Sequence, residues 1–308
     1  MNKFRKHDSD RLFAGALLSF ALILVLFIFV IISVLIERSW KSITTFGFSF
    51  LTGQTWNPLR HMYGSLPFLY GTLISSLIGL VLATVVGGGT AILLTQFNHL
   101  RFVKLATFLL DVLATIPSVV YGLWGLFVLV PWLRNTGEPF LKATLGFVPL
   151  FSGQVWGVGL LAAGLILGIM MLPTIISVVR KLMDQVPQEL QDGAIALGAT
   201  RTEKVRMVVL PYARVGILGA VFLSFGRALG ETIAVTMVIG NSPTISSSLF
   251  QPGDSLASVL VTQFLEASTH LYLSSLYEIG LVLLIVAVLF HSVSKFLVWR
   301  VSERARIA

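Results

Sequence analysis

The chain has 308 residues, of which 56% are hydrophobic and 12% are charged, and its mean hydropathy is +0.89. This balance excludes an ordinary soluble globular domain and predicts an integral membrane protein. The absence of cysteine excludes disulfides, thiolate metal sites and cysteine nucleophiles, and the net charge of +8 comes from basic residues at the ends of apolar runs, where they report topology rather than nucleic-acid binding.

Six apolar runs are each long enough to cross a bilayer as a helix. The first run is uncharged and longer than the core of a signal peptide, so it predicts a retained transmembrane helix. The runs are continuous rather than alternating, which favours helices over a barrel. The six predicted spans cover residues 12–36, 67–96, 102–133, 155–179, 215–240 and 275–299.

The distribution of lysine and arginine predicts that both termini lie in the cytoplasm. An even number of spans places the termini on one side, and this arrangement puts sixteen basic residues inside and five outside, with Arg227 left within a span. The predicted outside loop 241–271 contains no lysine or arginine. This asymmetry follows the positive-inside rule.

Glycines four residues apart mark two of the predicted spans. Gly164 and Gly168 lie in the fourth span, and Gly226 and Gly230 lie in the fifth. This spacing places small residues on one helix face and lets a second backbone approach closely. We therefore predict helix packing at each pair, with a flexible pathway as the alternative.

The longest inside loop contains a charged segment, residues 187–211, that predicts two short helices joined at a glycine. Gly198 is suited to end the first helix. Thr200 and Glu203 have the spacing of a capping box at the start of the second helix, which Pro211 is expected to end. An apolar helix tip outside the membrane should be buried against a partner, so the segment predicts a docking site rather than a plain solvated loop.

The charged segment does not predict a nucleotide site. The stretch from Gly193 to Thr200 has the glycine spacing of a phosphate-binding loop, but Ala199 occupies the position of the essential lysine and no apolar strand precedes it. No histidine or carboxylate spacing is typical of a metal site. We therefore predict no cofactor and no metal in this chain, so that any ATP must be used by another subunit.

Arg227, Glu231 and Asp111 are charged residues far from the ends of predicted spans. Arg227 and Glu231 are four residues apart and are expected to share one face of the fifth span. Such charges cost roughly 2.5–3.5 kcal/mol near the bilayer centre and are tolerated in a salt bridge, in a bundle interior or at a wet cavity. An arginine fork suits phosphate oxygens, and a nearby carboxylate would keep the site weak enough for release. Asp111 is expected to bond a neighbouring helix or to act in gating together with a kink at Pro117.

The charged segment resembles the motif EAA-x3-G-x9-I-x-LP of ATP-binding-cassette (ABC) importer permeases. Aspartate for glutamate, glycine for the first alanine and valine for isoleucine are mild departures, while the spacing from the glycine to the Leu-Pro pair is kept. In that family the segment forms a coupling helix that docks on the ATPase subunit. The resemblance assigns the coupling role to Asp192, Gly193, Ala194, Gly198, Val208, Leu210 and Pro211.

Four further segments make the resemblance more specific. They resemble the permeases of the phosphate-specific (Pst) importers, and the PstC type rather than the PstA type, within a match that covers about residues 12–300. The segments are LTGQTWNPL (51–59), YGSLPFLYGTLISS (63–76), ATIPSVVYGLWGLFVL (114–129) and FGRALGETIAVTMVIGN (225–241).

The resemblance implies an all-α integral membrane fold with six transmembrane helices, the type I ABC importer permease fold with a cytoplasmic coupling helix. It implies one permease domain over residues 1–308, in which a first helix precedes the ABC transmembrane type-1 core. The implied boundaries are 12–36 for the first helix, 67–299 for the core and 187–211 for the coupling loop.

The resemblance also implies the function and the partners. It implies a permease subunit of an ATP-driven inorganic phosphate importer in the bacterial cytoplasmic (inner) membrane, with Arg227 and Glu231 lining the phosphate path. The implied partners are a second, PstA-like permease chain, a dimer of ATP-binding subunits and an extracytoplasmic phosphate-binding protein, together with membrane lipid and no nucleic acid.

Two other functions remain open at this point. The same fold would also suit import of another oxyanion, such as sulfate or molybdate. A proton-coupled secondary carrier would use Asp111 and Glu231 as a relay, but it leaves the charged segment unexplained. A membrane-embedded enzyme is not supported, because the sequence contains no Ser/His/Asp set, metal cluster or nucleophile motif.

Overall fold

The computed structural model describes residues 3–96 and 101–307, with side chains from 13 to 96 and from 102 to 303. Within these ranges every regular secondary-structure element is a helix, and the one isolated β-bridge joins Asn57 to Met62. The predicted all-α architecture is therefore confirmed. The helices are α1 Lys3–Phe46, α2 Ser49–Thr52, α3 Leu66–Gln96, α4 Arg101–Thr115, α5 Ser118–Trp124, α6 Val130–Trp132, α7 Glu138–Leu145, α8 Leu160–Asp184, α9 Gln188–Ala196, α10 Arg201–Lys204, α11 Leu210–Leu229, α12 Ile233–Val238, α13 Leu256–Gln263 and α14 His270–Ile307.

Several neighbouring helices are continuous with one another through π-helical turns. The turns Gly125–Leu129 and Leu133–Gly137 join α5, α6 and α7, and the turn Val205–Val209 joins α10 to α11. Each turn contains one i→i+5 step, which shifts the register without ending the helix. Among the described residues, five helices are long and apolar enough to cross a membrane.

The structure has a sixth candidate membrane span only if two helical segments separated by a sharp bend are counted as one. These segments form the third predicted span. The segments 102–115 and 118–145 meet at 101°. Pro117 is extended there, with φ −60° and ψ 145°, and a proline excludes the preceding residue from the helical region. The span predicted over 102–133 is therefore a pair of helices broken at Pro117, where a kink was predicted.

The centre of the bundle is the contact between α3 and α8, which glycine permits. A methyl group added at Gly164 would place its carbon 2.5 Å from Cβ of Ile78, and one at Gly168 would lie 2.5 Å from a Leu82 methyl. On the other helix, Gly79 faces Leu167 at 2.8 Å in the same way. The predicted packing role of the first glycine pair is thus confirmed, since any larger residue would separate the two helices.

The long first helix joins the bundle through a serine cluster near its C-terminal end. The Ser42 hydroxyl lies 3.0 Å from that of Ser275, and the Ser42 amide donates to the Ser274 hydroxyl at 3.0 Å. Ser274 in turn donates to the carbonyl of Arg38 at 2.9 Å. Apolar residues of α1 before this cluster remain largely exposed, so α1 is held to α14 by polar contacts at one end and leaves an apolar face for lipid.

The segment between α12 and α13 covers the N-terminal ends of α3 and α8 and encloses a carboxyl group. Asp254 is fully buried, and its carbonyl lies against Gly71. One side-chain oxygen accepts from the amide of Ser255 at 2.8 Å, and the other has no hydrogen-bond partner among the described residues. Burial raises the pKa of Asp254 to about 7.

We expect Gly164→Ala to lower the free energy of unfolding by about 1–3 kcal/mol, because the added methyl forces α3 and α8 apart. Gly88→Ala is the matched control: it lies on α3 with nothing near its added carbon, and replacing a helical glycine should stabilise by up to ~1 kcal/mol. Thermal unfolding in one detergent measures both. Equal melting temperatures for the two variants would contradict the packing role.

We expect Asp254→Asn to flatten the dependence of stability on pH. The pKa of Asp254 is raised on folding, so the stability that its protonated form supplies is full below the unfolded value of 3.8 and is lost as pH rises to about 7. Asparagine keeps the shape and never ionises, so the variant should gain melting temperature over the wild type at pH 8 and little at pH 4. The exposed Glu266→Gln is the control and should match the wild type at both values.

Candidate functional site

The fifth predicted span is broken beside its two charged residues. Helix α11 ends at Leu229, and the amides of Gly230 and Glu231 bond back to the carbonyls of Arg227 and Ala228, each at 3.2 Å. Helix α12 begins only at Ile233. The predicted continuous span over 215–240 and the predicted shared helix face of Arg227 and Glu231 are therefore wrong, because the helix ends between them with Gly230 at φ −96° and ψ 0°.

The break nevertheless brings the two charges to one narrow cleft against α8. This arginine cleft is lined by Leu167, Met170, Met171, Arg227, Ala228 and Glu231. The Arg227 side chain is exposed and that of Glu231 is half-buried. Among the described side chains, Arg227 forms no ion pair or hydrogen bond, so its guanidinium donors are unoccupied in a cleft with methionine walls.

The second broken span packs beside the first. Gly122 of α5 faces Ala234 and Met237 of α12 so closely that a methyl carbon would lie 3.1 Å from Cα of Ala234 and 2.5 Å from the Met237 sulfur. The Tyr121 hydroxyl donates to the carbonyl of Leu113 at 2.8 Å, which ties α5 to α4 across the bend. Tyr121 also lies within electrostatic range of Arg227. The two breaks thus form one region of the bundle.

An apolar cleft of about 260 Å³ opens at the bend between α4 and α5. Its walls are Leu113, Ile116, Val120, Tyr121, Trp124 and Ile169. Pro117 lies at the bend itself, whereas Asp111 is exposed on α4 and does not line the cleft. Of the two residues predicted for gating, only Pro117 therefore lies at the junction of the broken spans.

The charged segment folds as predicted at its glycine and at its cap. Gly198 has a φ of +88°, the left-handed conformation that ends α9 at low cost only for glycine. The Glu203 carboxylate accepts from the amide of Thr200 at 2.8 Å, and the Thr200 hydroxyl accepts from the amide of Glu203 at 3.3 Å. This reciprocal capping box fixes the direction in which the next helix leaves the turn.

The tip of the charged segment is apolar and uncovered. Leu197 is 91% exposed, and Ile195 and Leu190 are about half exposed. Asp192 and Gly193 are also exposed, with Asp192 accepting from the amide side chain of Gln188 at 2.9 Å. Ala194 is half-buried, so the motif residues of α9 form an accessible surface around the leucine tip.

Pro211 does not end the helix, contrary to the prediction. Residues 201–229 form one continuous helix, with the π turn Val205–Val209 immediately before Leu210 and Pro211. A proline inside a helix removes one backbone donor and collides with the carbonyl four residues earlier. The wider π turn makes room at that position, so the helix continues from the charged segment to Arg227.

Sequence reasoning missed two residues that shape this region. Tyr121 follows the proline kink by four residues, and an aromatic hydroxyl there is suited to bond a carbonyl freed by the proline. Glu138 is fully buried and accepts from the amides of Trp156 and Gly157 at 3.0 Å each, which fixes the loop before α8. A carboxylate directly before Pro139 at the end of an apolar run was the available signal.

Comparison with known proteins identifies the family. Residues 83–306 match the model of the binding-protein-dependent transport system inner membrane component. The chain is 42% identical over 287 residues to the phosphate transport system permease protein PstC of Mesorhizobium japonicum, covering 92% of this chain and 88% of that one. It is 40% identical to the protein of the same name from Haemophilus influenzae, with 98% of each chain covered.

Solved structures give the same fold. An inward-facing structure of the MetNI methionine ABC transporter superposes with a TM-score of 0.58 at 17% identity, covering 80% of this chain and 99% of that chain. An amino acid ABC transporter with histidines superposes with a TM-score of 0.52 at 16% identity, covering 80% and 99%. The predicted type I ABC importer fold is confirmed, and the chain belongs to the binding-protein-dependent transport system inner membrane components, among which its relatives are PstC permease proteins.

Proposed function

We propose that this chain is the permease subunit of an ATP-driven importer of inorganic phosphate and forms half of its translocation path. The observation that carries the proposal is the exposed Arg227 guanidinium, which has no ion-pair partner among the described residues and lies at the break between α11 and α12. The choice of phosphate as the substrate rests on the names of the relatives, which are phosphate transport system permease proteins.

Arginine suits this anion at this place. Its planar fork donates two parallel hydrogen bonds to phosphate oxygens and keeps its charge at any physiological pH. A half-buried carboxylate on the same cleft, Glu231, weakens the binding of an anion by repulsion. A transport site must release its solute as well as bind it, so the pair sets a moderate affinity.

Broken helices provide the flexibility that such a path needs. In membrane transporters, non-helical backbone is tolerated where it lines a cavity, and solute sites are commonly formed at discontinuous spans. Here the breaks at Pro117 and Gly230 pack together through α5 and α12. We propose that relative movement at these two breaks opens the path alternately to either side, with Pro117 as a gating residue.

The energy comes from a partner. We propose that α9, with Asp192, Gly193, Ala194 and Gly198, docks through its leucine tip on an ATP-binding subunit, and that both termini are cytoplasmic. Leu210 and Pro211 then belong to the transmission helix rather than to the docked surface. A second, similar permease chain would complete the path, and an extracytoplasmic phosphate-binding protein would supply it.

The path is tested by Arg227→Ala and Glu231→Gln. Loss of the fork removes charge-assisted hydrogen bonds worth about 1.5–3 kcal/mol, so Arg227→Ala should reduce uptake at least tenfold. Glu231→Gln should bind phosphate more tightly, lowering KM together with the maximal rate. Radiolabelled phosphate uptake in cells without other phosphate importers measures both.

Arg214→Ala is the matched control, since Arg214 is exposed on the same helix but outside the arginine cleft. It should retain uptake within about twofold at equal membrane abundance. Wild-type uptake by Arg227→Ala would refute the assignment of the path. Competition by sulfate or molybdate at equal concentration would instead show that the oxyanion has been misassigned.

The coupling surface is tested by Leu197→Asp. A charge on a tip that is 91% exposed should leave this chain folded but prevent its burial in a partner, so the ATPase subunit should no longer co-purify with the tagged permease. Leu59→Asp is the control, since Leu59 is 94% exposed in the 3-10 turn Pro58–Arg60, remote in sequence, and should leave co-purification unchanged. Full co-purification with Leu197→Asp would contradict docking through this tip.

A further inference from the structure

A groove of about 500 Å³ lies between the C-terminal end of α3 and the start of the continuous helix 201–229. Apolar side chains of both helices face it, together with two arginines from the second helix. Gln96 and Thr202 add neutral polar groups to its lining. The residues used here are Ile92, Leu93, Val205, Leu210, Arg201 and Arg206, and we call this surface the basic groove.

The charges of the basic groove are not neutralised within the described part of the chain. Arg201 and Arg206 are exposed, and neither has an ion pair or hydrogen bond to a described side chain. No carboxylate lines the groove. The nearest acidic residue in sequence, Glu203, is engaged in the capping box with Thr200. Two guanidinium groups are therefore available to an anion.

The apolar walls favour a ligand that has an apolar part as well as a charge. Leu93 is 59% exposed, and Val205 and Leu210 continue the apolar surface toward the span. The groove therefore combines an apolar wall with two cations, which are the two kinds of contact that the acyl chain and the anionic headgroup of a phospholipid require. Basic pockets between transmembrane helices on the cytoplasmic side are suited to anionic headgroups.

We infer that the basic groove binds one anionic phospholipid, with its phosphate held by Arg201 and Arg206 and the upper part of an acyl chain along Ile92, Leu93, Val205 and Leu210. Bound there, the lipid contacts both α3 and the helix that leads to Arg227. The site is independent of the transported solute and does not require phosphate to be the substrate.

The probe is dioleoyl-phosphatidylglycerol, titrated against phosphatidylcholine on the delipidated, fully assembled transporter, with bound lipid counted by native mass spectrometry. Near a membrane surface each arginine contributes roughly a fivefold factor in affinity, so Arg201→Gln/Arg206→Gln should weaken phosphatidylglycerol binding about thirtyfold. Arg201→Lys/Arg206→Lys keeps both charges and should stay within about threefold of the wild type. The single glutamine variants should each lose about fivefold, which tests the site even if the double variant does not assemble.

A control with the same change of charge separates the groove from the general surface potential. Lys104→Gln/Arg300→Gln removes two exposed cations that do not line the groove and should leave the high-affinity lipid in place. Equal loss in this control, or wild-type binding by the double glutamine variant, would overturn the proposal.

Two further arms distinguish the other possible occupants. Inorganic phosphate should not displace the lipid, because it cannot use the apolar walls; displacement at millimolar phosphate would make this a site for the free anion. Removal of the ATPase subunit should not change lipid affinity. Lipid binding only after that removal would show that the groove is covered by the ATPase in the complex.

Discussion

One continuous helix, residues 201–229, is the element on which the rest of the arrangement depends. It starts at the capping box beside the exposed α9 tip and ends at the break beside Arg227, about 40 Å away at 1.5 Å per residue. A helix of that length transmits displacement as a rigid rod, whereas a break at Pro211 would absorb it. The π turn before Pro211 therefore leaves one unbroken helix between the exposed α9 tip and the arginine cleft.

The contact between α3 and α8 supplies the frame against which that helix can move. Gly79, Gly164 and Gly168 bring the two backbones together, and interiors packed this tightly resist gradual deformation. The faces toward the breaks are different, since methionines line the arginine cleft and adapt readily in shape. Rigid packing thus lies between α3 and α8, and adaptable packing lies at the arginine cleft.

Local chemistry explains which features could be predicted from the sequence. The helical class, the capping box of Thr200 and Glu203, the role of Gly198 and the kink at Pro117 each depend on a few adjacent residues, and the sequence contains them. The continuation of the helix through Pro211 and the break at Gly230 could not be predicted in the same way. Proline within an apolar run either ends or bends a helix, and glycine either continues or stops it, so the surrounding packing decides. Tyr121 and Glu138 bond residues that only the fold brings near.

The break at Gly230 also explains how Arg227, which has no carboxylate partner among the described residues, is tolerated among the spans. Arg227 lies in the last turn of α11, where the carbonyls that end the helix carry partial negative charge. That position stabilises a cation by about 0.3–1 kcal/mol, and up to about 2 kcal/mol where partly buried, against a cost of roughly 2.5–3.5 kcal/mol for a charge near the bilayer centre. A continuous helix would place Arg227 in mid-helix, and its charge would then need Glu231 as a close partner. Because the helix ends at Leu229, the terminal carbonyls offset part of the free-energy cost of placing this charge in the bilayer. The guanidinium donors remain available to an anion.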